Sequence, residues 1–287
     1  MRRLPSVVVL LVVVAASLLA AQQAAPLPTR PESLKFAVIG DTGTGAPPQF
    51  DVGSRMAEAR RTFPFEMVIM LGDNIYGSQT PQDFVMKFQR PYAPLLTAGV
   101  VFYATLGNHD APANRFYPGF NMGGHRYYTY TRKDVQFFVL DSNAMDPQQL
   151  AWLDNALKQS ITPWKICYFH HPLYSNGGRH GSEVELRVVL EPLFVKYGVS
   201  VVYSGHDHIY ERIKPQKGIP YFVNGSSGAL RAGDTRPSAM TAAYFDRDQV
   251  FSLAEIDGDD LFFQAISRTG RTVDSGVIHR QTAPQTR

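Results

Sequence analysis

Asp41, Asp73, Asn108, His109, His170, His206 and His208 lie far apart in the chain but share one local grammar. A short apolar run stops, often at a glycine, and a side chain with an oxygen or imidazole donor follows. The five instances are Ile39-Gly40-Asp41, Leu71-Gly72-Asp73, Leu106-Gly107-Asn108-His109, Phe169-His170 and Gly205-His206-Asp207-His208. A single Gly-Asp after a strand is most often only a turn; the recurrence is what points to a site. Carboxylate, amide oxygen and imidazole together suit a hard-to-borderline cation such as Fe, Mn or Zn. The donors are enough for two ions. One aspartate shared between them would set them about 3.5–4 Å apart, the usual two-metal spacing for phosphoryl chemistry.

Such distant residues meet only if the runs before them are neighbouring strands. Leu34 to Ile39, Met67 to Leu71, Val100 to Leu106, Lys165 to Phe169 and Val199 to Tyr203 read as buried strands. Between them lie helical patterns. Asp51 to Thr62 carries Val52, Met56 and Ala59; a helix opening at Pro81 carries Phe84 and Phe88. Asp146-Pro147 caps a helix with Leu150, Leu153 and Leu157 on one face. Ser182 and Glu185 make a capping-box signature for a helix to Tyr197, which Gly198 stops. This alternation predicts an α/β fold with parallel strands and helices on the sheet faces. Ligands in such sheets sit outside the carboxyl ends of the strands. Arg126 to Leu140 reads as two strands around Lys133-Asp134, and 221–223 as one more. Residues 249–279 read as antiparallel hairpins around Asp257-Gly258.

The ends set the context. Arg2 and Arg3, the apolar stretch Val7 to Ala20 and small residues up to Ala25 predict a signal peptide over 1–22, hence export, with no stable membrane insertion after cleavage. A disordered leader is expected over 23–32, one domain over 33–281 and a disordered tail over 282–287. The formal charge is 28 − 25 = +3 with no basic run, so nucleic acid is not an expected partner. The lone Cys167 lies in an apolar run and reads as a core residue.

Other polar residues read differently. Tyr76 stands three residues past Asp73. His180, with Arg179, lies in the Gly-rich loop 175–181, which could bring an imidazole over a metal site. No role is read for Arg179. Asp110 and Asp207 are expected to orient neighbouring imidazoles. His171 is expected to support the site or the fold rather than bind metal. Asp141 reads as a turn residue, and His125 and His279 carry no local signal.

Gly40-Asp41-Thr42-Gly43, Gly72-Asp73-Asn74-Ile75-Tyr76, Gly107-Asn108-His109, Cys167-Tyr168-Phe169-His170 and Gly205-His206-Asp207-His208 resemble the five blocks of the purple acid phosphatases. These are calcineurin-like metallophosphoesterases. The resemblance runs over nearly everything after the predicted signal peptide. The size is similar to the tartrate-resistant animal type, while Tyr210-Glu211-Arg212 resembles the plant type. Cys167 departs from the valine usual in the fourth block.

The resemblance implies a β-sandwich of two mixed sheets flanked by helices, with the metals at strand carboxyl ends. It implies Asp41, Tyr76 and His208 on a ferric ion, and Asn108, His170 and His206 on a divalent Fe, Zn or Mn. Asp73 would bridge. Asn108, His109 and His180 would face the substrate, with His109 and His180 catalytic. The implied activity is an acid phosphatase cleaving small phosphate monoesters by metal-hydroxide attack. Phosphodiester cleavage, of cyclic nucleotides or glycerophosphodiesters, is the alternative. A phosphate- or metal-binding protein without turnover is a third reading, against which His109 argues.

Overall fold

The computed structural model describes residues 25–280. The predicted signal peptide and the 282–287 tail lie outside the described residues. Residues 25–32, in the stretch read as a leader, form no helix or strand but lie against the body of the protein. Ala25 N donates to Ser275 Oγ (2.9 Å), and Thr29 and Arg30 N donate to the buried Glu255 carboxylate (2.7 and 2.6 Å).

Along the chain the strands are β1 (Leu34–Ile39), β2 (Met67–Met70), β3 (Val101–Ala104), β4 (Tyr128–Arg132), β5 (Val135–Val139), β6 (Trp164–Tyr168), β7 (Val201–Ser204), β8 (Tyr210–Gln216), β9 (Ile219–Asn224), β10 (Thr241–Phe245), β11 (Val250–Asp257), β12 (Asp260–Ser267) and β13 (Thr272–His279). They make two mixed sheets. One has six strands in the order β13-β12-β11-β1-β2-β3; the other has seven, β10-β8-β9-β7-β6-β5-β4. The strands that carry the site are parallel: β1, β2 and β3 in the first sheet, β5, β6, β7 and β9 in the second. The C-terminal hairpins β11 to β13 complete the first sheet.

The sheets pack face to face. Phe36, Val38, Ile69, Phe137, Ile166, Tyr168 and Phe222 fill the space between them. The outer faces are also covered. Ala37 and Ile39 of β1 pack with Val52 and Met56 of α1 (Pro47–Arg60). α2 (Pro81–Phe84), extended by a π-turn to Gln89, and α3 (Ala93–Thr97) lie on the same side. Cys167 and Phe138 pack with Leu153 and Leu157 of α4 (Pro147–Gln159) and Leu190 and Phe194 of α5 (Val184–Tyr197). Burial on both faces is why β1 from Phe36 and β6 from Ile166 read as unbroken apolar runs rather than alternating ones. Phe137 meets Phe36 edge-on, with centroids 5.7 Å apart. Truncating such a buried aromatic to alanine costs about 3–5 kcal/mol, so this apolar interface is the main clamp between the sheets.

Three local expectations change. The capping box at Ser182 does not form: α5 starts after Glu183 with no side-chain cap. Ser182 Oγ instead pairs with the backbone of Ser175 (3.0 and 3.1 Å), closing the Gly-rich loop on itself. The chain also holds two strands the pattern concealed, β8 and β10. The helix read over Asp51 to Thr62 begins earlier, at Pro47. Two other local signals act as read: the Asp146 side chain caps α4 through Gln149 N (2.8 Å), and Gly198 ends α5 in the left-handed conformation.

Candidate metal centre

β1, β2 and β3 end side by side, and their loops stay in register beyond the strands. Asp41 N donates to the Gly72 carbonyl (3.0 Å) and Thr42 N to the Asp73 carbonyl (3.1 Å). From the other sheet, β6 delivers His170 and β7 delivers His206 and His208, with Gly205 N bonded to the His170 carbonyl (2.9 Å). The two sheets join here, because His206 N donates to Asp41 Oδ2 (2.9 Å).

The backbone is forced into this shape. Asp41, Asp73 and His206 have φ of +55°, +51° and +70°. Non-glycine residues in sparsely populated regions cost on the order of 1–3 kcal/mol each and cluster at functional sites. Two glycines make room for the carboxylates. A Cβ on Gly107 would lie 2.1 Å from Asp73 Oδ1, and one on Gly205 would lie 2.4 Å from Asp41 Oδ2.

Two groups of donors result. In the first, Tyr76 OH lies 3.2 Å from Asp41 Oδ1 and 3.0 Å from His208 Nε2, and those two are 3.4 Å apart. In the second, His170 Nε2 lies 3.0 Å from Asn108 Oδ1, 3.1 Å from His206 Nδ1 and 3.4 Å from Asp73 Oδ1. Asp73 also has a carboxylate oxygen within 4.8 Å of Asp41 and His208 donors, so it stands between the groups. Ligands bonded at about 2.0–2.2 Å to one ion have separations of this size.

The electrostatics ask for cations. Asp41 and Asp73 are both buried, and no lysine or arginine among the described residues pairs with either. Burial, then the neighbouring Asp73, pushes the Asp41 carboxyl well above the usual carboxylate range. Burial, then Asp41 and Asp73, pushes the Tyr76 phenol up. Burial, then the neighbouring His170, pushes His206 down to about 2; burial, then Arg231, pushes His208 down to about 4. His170 is also held well below its ordinary value, chiefly by burial. Every one of these groups is pushed toward its neutral form, and bound cations reverse that logic. The donors present therefore fit two metal ions.

His109, His180 and His171 rim the site. His109 N donates to Asp73 Oδ1 (2.9 Å), while its imidazole stays 52% exposed, with Nε2 4.0 Å from Asp73 Oδ2. The His180 ring lies 4.1 Å, centroid to centroid, from that of His206. His171 pairs with Ser142 Oγ (2.9 Å) and packs against His206 at 4.4 Å. Asp141 serves its turn through Asn143 N (3.0 Å) and binds Arg126 (2.7 Å). His279 makes an exposed pair with Asp260.

Asp110 and Asp207 do not orient imidazoles. Asp110 accepts from the backbone N–H groups of Asn74, Ile75 and Gly107 (3.0, 3.0 and 2.9 Å), and burial raises its carboxyl to about 7. Asp207 accepts from Ser175 Oγ (2.5 Å) and Gly181 N (3.1 Å). Loop amides compete for these acids and win, because buried N–H groups without partners are costly. The His180 loop is further held by Glu211, which accepts from Asn176 N and Nδ2 (2.8 Å each). Arg212 and Tyr210 both bond to Asp274 of the other sheet (2.7 and 2.8 Å). The Tyr-Glu-Arg stretch is thus built into the scaffold.

One contributing segment escaped the sequence reading. After β9 the loop 225–231 runs along the first donor group. Ser227 N bonds to the Gly40 carbonyl (3.1 Å), Ala229 N to the Asp41 carbonyl (2.8 Å) and Arg231 N to the His208 carbonyl (3.0 Å). Asn224-Gly225 repeats the strand-then-glycine grammar, and only the lack of a metal-binding side chain hid it.

Among known proteins, the description "Calcineurin-like phosphoesterase" matches residues 34–210, which include all of these donors. The chain is 28% identical over 240 residues to purple acid phosphatase 3 of Arabidopsis thaliana, covering 70% of this chain and 65% of that protein. It is 38% identical over 219 residues to Fe(3+)-Zn(2+) purple acid phosphatase 12 of the same plant, covering 66% of this chain and 46% of that one. The chain thus spans from about half to about two thirds of these relatives. Among solved structures, GAP50, the anchor in the inner membrane complex of Plasmodium, superimposes with a TM-score of 0.77 at 16% identity, covering 88% and 90% of the two chains. At that identity the likeness speaks for the fold alone. The match over residues 34–210, which takes in the five donor-bearing strand ends, together with two mixed sheets flanked by helices, makes this chain a member of the calcineurin-like phosphoesterase family.

Proposed function

We propose that the protein is an exported dinuclear-metal phosphatase of the acid phosphatase type, acting on small phosphate monoesters. The observation that carries this is the pair of donor groups meeting at Asp73. Asp41, Tyr76 and His208 would hold one ion, Asn108, His170 and His206 the other, and Asp73 both. A phenol among the first donors favours a ferric ion there, and the plant relative's name pairs Fe(3+) with Zn(2+); Fe, Zn or Mn would suit the second. Bound there, the ions supply Lewis acidity, which lowers the pKa of water and neutralises phosphoryl oxygens.

The chain's own residues do the rest. His170 presents Nε2 because Nδ1 is engaged by the Leu71 carbonyl (2.9 Å). His109, fixed by its backbone bond to Asp73 and with a half-exposed ring that makes no hydrogen bond among the described residues, would give a proton to the leaving alkoxide oxygen. Asn108 Oδ1 and the His180 ring would face the substrate. The arginine pair and apolar stretch before Ala20 support export. Among the described residues no helix is long and apolar enough to cross a membrane.

The test loads the purified protein with iron and zinc, counts bound metal, and compares para-nitrophenyl phosphate with its bis-ester. Two ions per chain and preference for the monoester are expected. Preference for the bis-ester would move the reading to phosphodiesters. A chain holding two ions that cleaves neither would overturn the enzyme reading.

A further inference from the structure

Arg231 is a charged group the two donor sets leave unexplained. Its backbone is bonded to the His208 carbonyl (3.0 Å), at the end of the loop that runs along Gly40 and Asp41. Among the described residues its side chain makes no hydrogen bond or ion pair, and Nη1 is buried without a partner. Among the described residues no acid forms an ion pair with it; three acids of the neighbouring loops accept hydrogen bonds from other groups, although Asp207 Oδ1 is itself buried without a partner. Asp207 accepts from Ser175 and Gly181, Asp234 from Arg179 N (3.3 Å), and Asp246 from Thr235 N (2.9 Å). A guanidinium cannot shed its charge, so an unpaired buried N–H cannot be relieved by deprotonation. Leaving a buried donor unmade costs about 1–3 kcal/mol, more when it is charged. The charge is felt in the site: it is among the causes that hold both His208 and His180 down. Arginine's forked donors match phosphate oxygens, and such charge-assisted bonds are roughly twice as strong as neutral ones.

We propose that Arg231 is a substrate-binding residue that pairs with an anionic phosphate oxygen on the His208–His180 side of the centre. This rests on the phosphatase reading above. It names a residue outside the five blocks, supplied by the loop after β9. The oxygen belongs either to the reacting phosphoryl group or to a second phosphoryl on the leaving group.

The experiment uses the metal-loaded protein and its R231M variant. Metal content is measured first, then binding of inorganic phosphate and of pyrophosphate by calorimetry. Both ions should be retained. Loss of a charged hydrogen bond should weaken anion binding about 10–100-fold, with KM for para-nitrophenyl phosphate rising more than kcat falls if the reacting phosphoryl is held. R231K should recover part of the affinity. Equal weakening for both anions assigns the bond to the reacting phosphoryl; weakening for pyrophosphate alone assigns it to the leaving group. Should R231M fail to load both ions, R231Q and R231K carry the comparison, and failure of all three to load overturns the proposal in favour of a structural role. Affinities within twofold of the unmodified protein for both anions overturn it as well, as does an unmodified protein that binds neither anion. Because binding is read without turnover, a protein that binds phosphate through Arg231 but hydrolyses nothing sinks the enzyme reading alone.

Discussion

His170 Nδ1 lies 2.9 Å from the carbonyl oxygen of Leu71, a hydrogen bond that crosses from one sheet to the other. A carbonyl can only accept, so Nδ1 carries the proton and Nε2 keeps its lone pair. That nitrogen points at Asn108 Oδ1 and Asp73 Oδ1. The imidazole is therefore oriented by the scaffold before any ion arrives, the supporting contact that metal-binding histidines generally need.

Asp73 is the least replaceable residue by this geometry, because it stands between both donor groups. Asp73→Asn removes charge from both at once. The expected outcome is loss of both ions from the purified protein and loss of turnover. The drop in metal affinity should exceed the roughly 10–100-fold seen when only a supporting partner is lost. Two retained ions with near-normal turnover would show that Asp73 does not bridge.

His109→Ala should separate binding from chemistry. The ring is half exposed and bonded to none of the donors, so both ions should stay. Turnover should fall by about 10²–10⁴, the usual contribution of a general acid. The fall should be smaller for para-nitrophenyl phosphate, whose leaving group needs little protonation. Elemental analysis beside kinetics decides, and a variant that loses metal would make His109 a ligand.

Tyr76→Phe tests the first donor group by colour. A free phenol has a pKa near about 10, and burial beside Asp41 and Asp73 raises this one further. Only a strongly Lewis-acidic ion should displace its proton. Iron-loaded, oxidised protein should therefore absorb in the visible through a phenolate-to-iron transition. The phenylalanine variant should lose that band and keep its circular dichroism. Colourless protein with iron at that position would make Tyr76 a packing residue.

Metal uptake should depend on pH in a defined direction. Burial and the neighbouring carboxylates push Asp41 and Tyr76 toward their protonated forms, so filling the first position should release protons. Affinity should rise with pH, by about tenfold per unit for each proton released. His208, already neutral above about 4, should add no loss between pH 7 and 5. Chelator competition at pH 5, 6 and 7 measures the slope. A flat profile would mean that neither group deprotonates on binding.

The five ligand blocks were legible because each couples an apolar run to a turn, two signals that agree. The hairpins near the C-terminus were legible for the same reason. β8 was not. Its outer half, Lys214-Pro215-Gln216, reads as a loop, and its pairing with β9 shifts register there. The Ser182 box failed because its hydroxyl found a tertiary partner in Ser175. Asp110 and Asp207 sit beside histidines in sequence, but the loop amides that claim them come from residues up to 36 positions away. Arg231 was hidden because its segment offers a charge without a metal donor.

Each donor group draws on both sheets. Asp41 and Tyr76 from the first face His208 from the second; Asn108 and Asp73 from the first face His170 and His206 from the second. A filled centre is therefore a pair of rivets through the seam of the sandwich, set at one end. Phe36 and its neighbours hold the halves together by buried area, which has no direction. Coordinate bonds would add directional ties. Ions that bind only the closed seam draw the population away from splayed forms. The seam they lock is the one an unfolding chain would have to part.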